Sequence, residues 1–439
     1  MPASSGCAPQ PGDEYFSALA YSSDHGGPVL QEVALGNKSL ADYTHLAGRG
    51  LVDEIREIAE NLKGKRILHV SATAFGGGVS EILYTIVPLM QDVGLDAHWQ
   101  VIMGREEFFN ATKLLHNSLQ GDPNTLTPNQ WELFDHYNKM NADSLEGDWD
   151  VIIVHDPQPV GMRHHAGDHA KNWVWRCHID LSEPNPEPIE RLLPLISEYE
   201  ITVWHMEQYV PKGLDGHGGV RIVPPAIDPL SPKNMALSPD DAAFVCNQFG
   251  IDVDRPMICQ VSRFDPWKDP IGVIDAYRQV TKEIPEVQLA LVGSMATDDP
   301  EGWEFFHRTF EYAGSDPDIK ILNNLNNVGA IEVNAFQSQS DVVLQKSIRE
   351  GFGLTVSEAL WKGRPTIAGD VGGIPLQIVD GEDGYLVSSP DQAAERCTRI
   401  LQDPELGRRL GRAGKERTRE RFLSPRLLLD WLRIFTSLE

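Results

Sequence analysis

The stretch Arg66-Ile67-Leu68-His69-Val70-Ser71-Ala72-Thr73-Ala74-Phe75-Gly76-Gly77-Gly78-Val79 sets the pattern that the rest of the chain repeats. Its first six residues read as a buried strand, the glycines as a tight turn. Ile82, Leu83, Ile86, Val87 and Met90 then recur at helical spacing. Working outward, residues 98–103, 151–154, 173–179, 201–206 and 221–223 read as strands, and 106–120 and 128–140 as helices, Pro128 suiting a first turn. Residues 1–40, rich in Gly, Pro and Ser, read as an extended arm or an irregular hairpin. Pro224-Pro225 stops any regular element and marks a boundary. Beyond it a second series follows: strands at 257–261, 288–292, 320–322, 342–344, 366–368 and 384–387, and helices at 271–283, 301–313, 330–339, 354–362 and 391–402, with an amphipathic helical tail over 404–439.

Strand–helix alternation of this kind is the mark of parallel sheets covered on both faces. The expected fold is α/β, with two doubly wound, Rossmann-like domains facing across a cleft. The first spans 1–224 and the second 225–419, with a last helix at about 420–439 crossing back. Ligands of such sheets bind beyond the carboxyl ends of the strands.

Composition narrows the function. The 439 residues carry 38 Lys+Arg against 64 Asp+Glu, a net charge of −26, which argues against nucleic acid or an anionic membrane as partner. No apolar run nears the ~20 residues that span a bilayer. The first residues lack the basic start and apolar core of a secretory signal. Five scattered cysteines (Cys7, Cys177, Cys246, Cys259, Cys397) form no C-x-x-C pair and read as reduced thiols of a cytoplasmic protein.

Five groups fall at the mouth side of the sheets. Arg263-Phe264-Asp265-Pro266-Trp267-Lys268 follows a strand and sets two cations where an anion would lie, a planar fork and a point charge that together suit a pyrophosphate. Glu350-Gly351-Phe352-Gly353-Leu354-Thr355-Val356-Ser357-Glu358 places small residues and a helix N-terminus at the same cleft, with two carboxylates able to accept from hydroxyls. Phe75-Gly76-Gly77-Gly78-Val79 does not satisfy G-x-G-x-x-G, which disfavours a nicotinamide oxidoreductase. His155-Asp156-Pro157-Gln158-Pro159 puts a histidine at a strand end. In Trp175-Arg176-Cys177-His178-Ile179-Asp180, Arg176, His178 and Asp180 alternate along one strand face. Each group alone reads as readily as solvated loop cations, surface glutamates or core histidines; their common location favours a site. No acid pair in the cleft suggests a metal, and Asp298-Asp299 reads as a helix-entry loop.

On these residues, over roughly 65–435, the chain resembles the retaining glycosyltransferases of family 4 with the GT-B fold. The most specific features are Arg263/Lys268 combined with the E-x7-E pattern Glu350…Glu358. The phrases around His155 and Arg176 resemble the trehalose-forming branch, which holds the glycosyltransferring trehalose synthases and the related, much longer trehalose phosphorylases. The resemblance implies a reversible transfer of glucose from a nucleoside-diphosphate glucose, such as UDP- or ADP-glucose, to glucose. Arg263 and Lys268 would neutralise the diphosphate with the amides of Gly353, Leu354 and Thr355 beside Phe352. Glu350 would hold the transferred glucose, Glu358 the ribose, and the backbone at Leu322, Asn323 and Asn324 the base. Gly76, Gly77 and Gly78 would close on the leaving phosphate. His155 would act in catalysis, while Asp156, Arg176, His178 and Asp180 would line the acceptor side. One departure is Gly373-Ile374-Pro375-Leu376-Gln377, where many members carry an acid after the proline. No cofactor is implied beyond the donor substrate; magnesium would stimulate at most, without protein ligands. The implied partners are the sugar nucleotide and a sugar acceptor, with a homodimer as the assembly. Retention without an obvious carboxylate nucleophile suggests front-face displacement, the leaving phosphate taking the acceptor's proton.

Rival readings are a phosphorylase, a sucrose-forming or other sugar-acceptor glucosyltransferase, a glycosidase using Glu350 and Glu358, and a non-catalytic nucleotide-sugar-binding regulator. The glycosidase is weakened because eight helical residues span about 12 Å, beyond the ~5–9.5 Å of paired carboxylates.

Overall fold

The computed structural model describes residues 30–214, 217–295 and 300–439. Most of the proposed N-terminal arm, Cys7 and Asp298-Asp299 lie outside the described residues. The first lobe is built on a seven-stranded sheet in the order β1-β3-β2-β4-β5-β6-β7. Its strands are β1 (Gln31–Glu32), β2 (Arg66–Ser71), β3 (Asp96–Val101), β4 (Trp149–His155), β5 (Ala170–Arg176), β6 (Ile201–Trp204) and β7 (Val220–Ile222). All neighbours pair parallel except β1, which runs antiparallel to β3 as an edge strand, not as half of a local hairpin. The second lobe has a six-stranded parallel sheet, β10-β9-β8-β11-β12-β13. It comprises β8 (Met257–Val261), β9 (Gln288–Gly293), β10 (Ile319–Asn323), β11 (Val342–Gln345), β12 (Thr366–Gly369) and β13 (Tyr385–Val387).

The inner strands are apolar on both faces because helices cover both sides, whereas edge strand β1 is polar and exposed. In the first lobe Leu68, Val70, Ile152, Val154 and Trp175 pack into one core, and their neighbours Ile67, Val151, Ile153 and Val174 into the other. Many helices start from a polar cap followed by proline. Thr127, Asn185, Ser238, Asp269, Ser389 and Asp403 each accept a backbone N–H from the first turn, and Pro occupies the position after each. That satisfies one orphan donor and removes another.

The helical tail is two helices, Pro404–Arg421 and Ser424–Thr436. The second buries Leu427, Leu428, Trp431, Leu432 and Phe435 in a first-lobe core with Val52, Ile55 and Ile86. At the crossing, buried Asp228 accepts from Lys38 Nζ (2.7 Å), the Tyr43 hydroxyl (3.0 Å), Thr85 Oγ1 (3.2 Å) and the Leu230 amide (2.9 Å).

Candidate active site

Both sheets reverse their winding at one point, and the candidate residues cluster there. In the first lobe β2 lies between β3 and β4, so the loops after β2 and β4 flank a crevice. These carry Phe75–Gly78 and His155–Pro159. In the second lobe β8 lies between β9 and β11, and the loops after β8 and β11 carry Arg263–Lys268 and Glu350–Gly353.

Lys268 closes a 3-10 turn, Pro266–Lys268, capped by Asp265, whose Oδ1 accepts the Lys268 amide at 3.1 Å. Gln260 donates to the Lys268 carbonyl at 3.0 Å. The half-buried ammonium meets Glu350 Oε2 at 2.6 Å, and Ser347 Oγ donates to the same oxygen at 3.2 Å. The next residue, Asp269, sits in the left-handed region (φ 47°), caps the helix Pro270–Val280 and pairs with buried Lys346. Lys268 is therefore fixed from both sides along the chain. Arg263 differs. Its side chain is 67% exposed and touches Asp265 Oδ2 at 3.2 Å, leaving the guanidinium free to turn toward a ligand.

Glu358 lies within the helix Leu354–Trp361 and is 1% exposed. Lys233 approaches its Oε1 at 3.5 Å and also meets Glu81 of the first-lobe helix Gly78–Asp92 at 2.6 Å. Glu358 Oε2 is buried and has no hydrogen-bond partner among the described residues. Leu322 and Asn323 end β10; Asn323 accepts the Leu325 amide at 2.9 Å, and Asn324 clasps Met295 through both amide atoms.

The two lobes meet through glycine and aromatic contacts. A Cβ on Gly78 would stand 2.7 Å from Leu354 Cδ1, and one on Gly351 would stand 3.0 Å from the His178 carbonyl. Gly76 and Gly77 have positive φ at the exposed tip beside Phe75, 77% exposed. Tyr209 donates to the carbonyls of Glu350 (3.1 Å) and Gly351 (2.8 Å), and His205 packs edge-on to Phe352. Gly353 takes φ 82° to start the Leu354–Trp361 helix, with Thr355 in its first turn.

The unusual turn now has a role. Buried Gln377 donates to the carbonyls of Phe352 and Gly353 and accepts from Ser357 Oγ, tying down the loop ahead of the helix; Leu376 offers its carbonyl to Arg417 at 2.9 Å. Gln377→Glu turns a donor into an acceptor facing two carbonyls. It should destabilise the fold by about 1–3 kcal/mol, seen as a lower Tm, and should raise KM for the donor; an unchanged Tm would dismiss the clasp.

On the first-lobe side, β5 ends at Arg176, so Arg176, His178 and Asp180 do not share a strand face. The chain leaves the ladder because Asp156 Oδ1 takes the His178 amide at 2.7 Å. Asp156, at φ 66°, is half-buried, and burial lifts its carboxyl to about 7. Arg176 is buried and donates to the Trp204 carbonyl at 3.3 Å; burial lowers it to about 9. Asp180 caps its own loop at Ser182. His155 is buried behind His178, linked at 2.9 Å (Nδ1 to Nε2), and His69 lies behind His155 at 3.0 Å. His178 is half-buried and forms the outer end of this row.

His69, His205, Lys233, Lys346 and Gln377 were not anticipated. The sequence offers two signals for them, a histidine inside an apolar strand at Ile67-Leu68-His69-Val70 and the departure ending at Gln377 noted above. Among the described residues no group of three His, Cys, Asp or Glu side chains could hold a metal ion, and no helix is long and apolar enough to cross a membrane.

Residues 69–211 match the family model described as trehalose synthase, N-terminal domain, and residues 244–417 the one described as glycosyl transferases group 1. A trehalose synthase of Rubrobacter xylanophilus is 54% identical, with 93% of this chain and 99% of that protein covered. A trehalose phosphorylase of Pleurotus pulmonarius is 28% identical, with 81% of this chain but 54% of that protein covered. Among solved structures, sucrose-phosphate synthase of Thermosynechococcus elongatus is similar at a TM-score of 0.65 and 18% identity, covering 85% of this chain and 99% of that one. That likeness shows the fold.

Proposed function

The chain belongs to the trehalose synthase family of GT-B glycosyltransferases, and from that premise we infer that it transfers glucose from a nucleoside-diphosphate glucose to free glucose, with retention, forming trehalose reversibly. The observation that carries this reading is the Lys268–Glu350 pair, 2.6 Å apart at the second-lobe switch point, facing the first-lobe loop that bears His178.

Departure of the nucleoside diphosphate loads negative charge onto its outer phosphate. Lys268 and exposed Arg263 are suited to meet that charge, with the N-terminal turn of Leu354–Trp361 adding its partial positive end. Glu350, already oriented by Lys268 and Ser347, accepts hydroxyls of the glucose. The unpartnered Oε2 of Glu358 suits a ribose hydroxyl. Neither carboxylate is offered as a nucleophile, so the acceptor attacks from the face the diphosphate leaves. The acceptor's proton passes to the departing phosphate oxygen. His178, Arg176 and Asp180 bound the acceptor side, and the Gly76–Gly78 tip closes over the phosphates. Magnesium, if it contributes, travels with the nucleotide. The four described cysteines are buried unpaired thiols, which suits a cytoplasmic enzyme, and we propose a homodimer as its assembly.

Incubation with a panel of nucleoside-diphosphate glucoses, each with glucose, fructose, glucose phosphate or inorganic phosphate, tests the reading. A non-reducing α,α-linked disaccharide is expected with glucose, identified by its anomeric NMR signals. Tight donor binding with no turnover on any acceptor would replace the enzyme with a binding protein; turnover with phosphate would make it a phosphorylase.

A further inference from the structure

Three histidines form a single row across neighbouring strands. His69 is on β2, His155 ends β4, and His178 follows β5, and these strands are adjacent in the sheet. His69 Nδ1 lies 3.0 Å from His155 Nε2, and His155 Nδ1 lies 2.9 Å from His178 Nε2. The rings are stacked, at interplanar angles of 22° and 21°. His69 and His155 are buried, so the row opens to the cleft only at His178. At the inner end His69 Nε2 is buried without a hydrogen-bond partner among the described residues, its ring packed against Trp431.

Burial holds all three imidazoles neutral near pH 7, His69 down to about 3. A neutral imidazole has one donor and one acceptor nitrogen, so both links must point the same way. If they point inward, the row ends in a buried N–H at His69 Nε2 with nothing to receive it. If they point outward, it ends in a bare lone pair. By the rule for backbone groups, a buried N–H is less readily left unmet than an acceptor; carried over to the ring nitrogen, it selects the outward arrangement. His69 Nδ1–H then donates to His155 Nε2, and His155 Nδ1–H donates to His178 Nε2. Because the inner end reaches no further group, the row has nowhere to deliver a proton and cannot serve as a relay.

We propose that His69 and His155 are positioning residues that lock His178 in its Nδ1–H form, so that it presents a fixed hydrogen-bond donor to a hydroxyl of the bound sugar. The sugar rests on the function proposed above, but the tautomer does not. The test is therefore 15N–1H correlation of the full-length protein labelled at histidine, with the His178 signals assigned through His178→Gln. In the wild type, His178 should show a protonated Nδ1 and a pyridine-like Nε2, whether or not any sugar is transferred. His69→Leu removes the donor behind His155 and should mix the two His178 forms. It should also lower kcat about tenfold, the lower end of what a lost partner behind a functional imidazole costs, with KM for the donor little changed. His69→Asn, whose amide nitrogen can stand where Nδ1 stood, should restore both. A protonated Nε2 on His178 in the wild type would overturn the proposal. So would Leu and Asn variants that behave alike, since that would leave His69 a packing residue only.

Discussion

Lys268→Ala is expected to cut kcat by about 10²–10³, the loss typical when one pre-placed charge is removed from where transition-state charge develops. Two consequences combine. The leaving diphosphate loses a cation that Asp265, Gln260 and the Asp269–Lys346 pair hold in place before the ligand arrives. Glu350 also loses its principal partner, keeping Ser347 alone, and its orientation toward the sugar loosens. Arg263→Ala should cost less, though still more than tenfold, because an exposed guanidinium has to be recruited into place. Initial rates of nucleoside-diphosphate release, with kcat and KM separated, measure both. Circular dichroism of Lys268→Ala should match the parent, since the residue lies in a loop. Near-parental rates in both variants would remove the diphosphate assignment.

Acidification should unfold the protein steeply below about pH 6. His69, His155, His178 and His205 are all held neutral by burial, far below the ordinary 6.5. Below pH 6.5 the unfolded chain takes up protons at these positions and the folded chain does not. The stability they leave intact above 6.5 is therefore lost as pH falls, at about 1.4 kcal/mol per group per pH unit. Asp156 works the other way between 3.8 and about 7, because its folded form is the one that binds a proton there. These five groups by themselves give a slope of about 4 kcal/mol per pH unit; buried His116, held down to about 4, adds to it, and the carboxyls of Glu81, Asp265, Asp341 and Asp383, raised by burial, oppose it at lower pH, against a stability of about 5–15 kcal/mol. A pH titration followed by ellipticity should show a cooperative loss, and His205→Phe should make the slope shallower. His205 is a suitable choice because phenylalanine keeps an aromatic ring against His178, Tyr209 and Phe352 while removing the titrating group. An identical slope in that variant would refute the account.

The fold was legible because the strands carry it in local text. The residues 66–71, 257–261 and 330–339 were bounded to the residue, since apolar runs stop abruptly at glycine, proline or polar caps. Strand β5 was misjudged at its end because Cys177 and Ile179 stay buried after the ladder stops, and hydrophobicity alone cannot tell a strand from a packed loop. For the site, the position of each group just after a strand, at the mouth side of its sheet, was readable in the sequence; the strand order that sets the β8 and β11 loops side by side was not. What sequence could not show was depth. Nothing in the text separates half-buried Lys268 from exposed Arg263, or sets His155 behind His178, because burial depends on residues distant in sequence, Glu350 for Lys268 and His69 for His155. Lys346 and the role of Gln377, whose turn the sequence marked only as a departure, were hidden because their partners are 77 and 24 or 25 residues away.

The returning terminal helix has a consequence for biosynthesis. Arg426 donates to the Pro224 carbonyl across 202 residues of sequence, and the side chains around it finish a core whose other members emerge from the ribosome far earlier. The first lobe must therefore wait, with an apolar groove open to water, while the entire second lobe is translated. Nascent chains stalled before Ser424 should be captured by holdase chaperones, and release past Phe435 should free them.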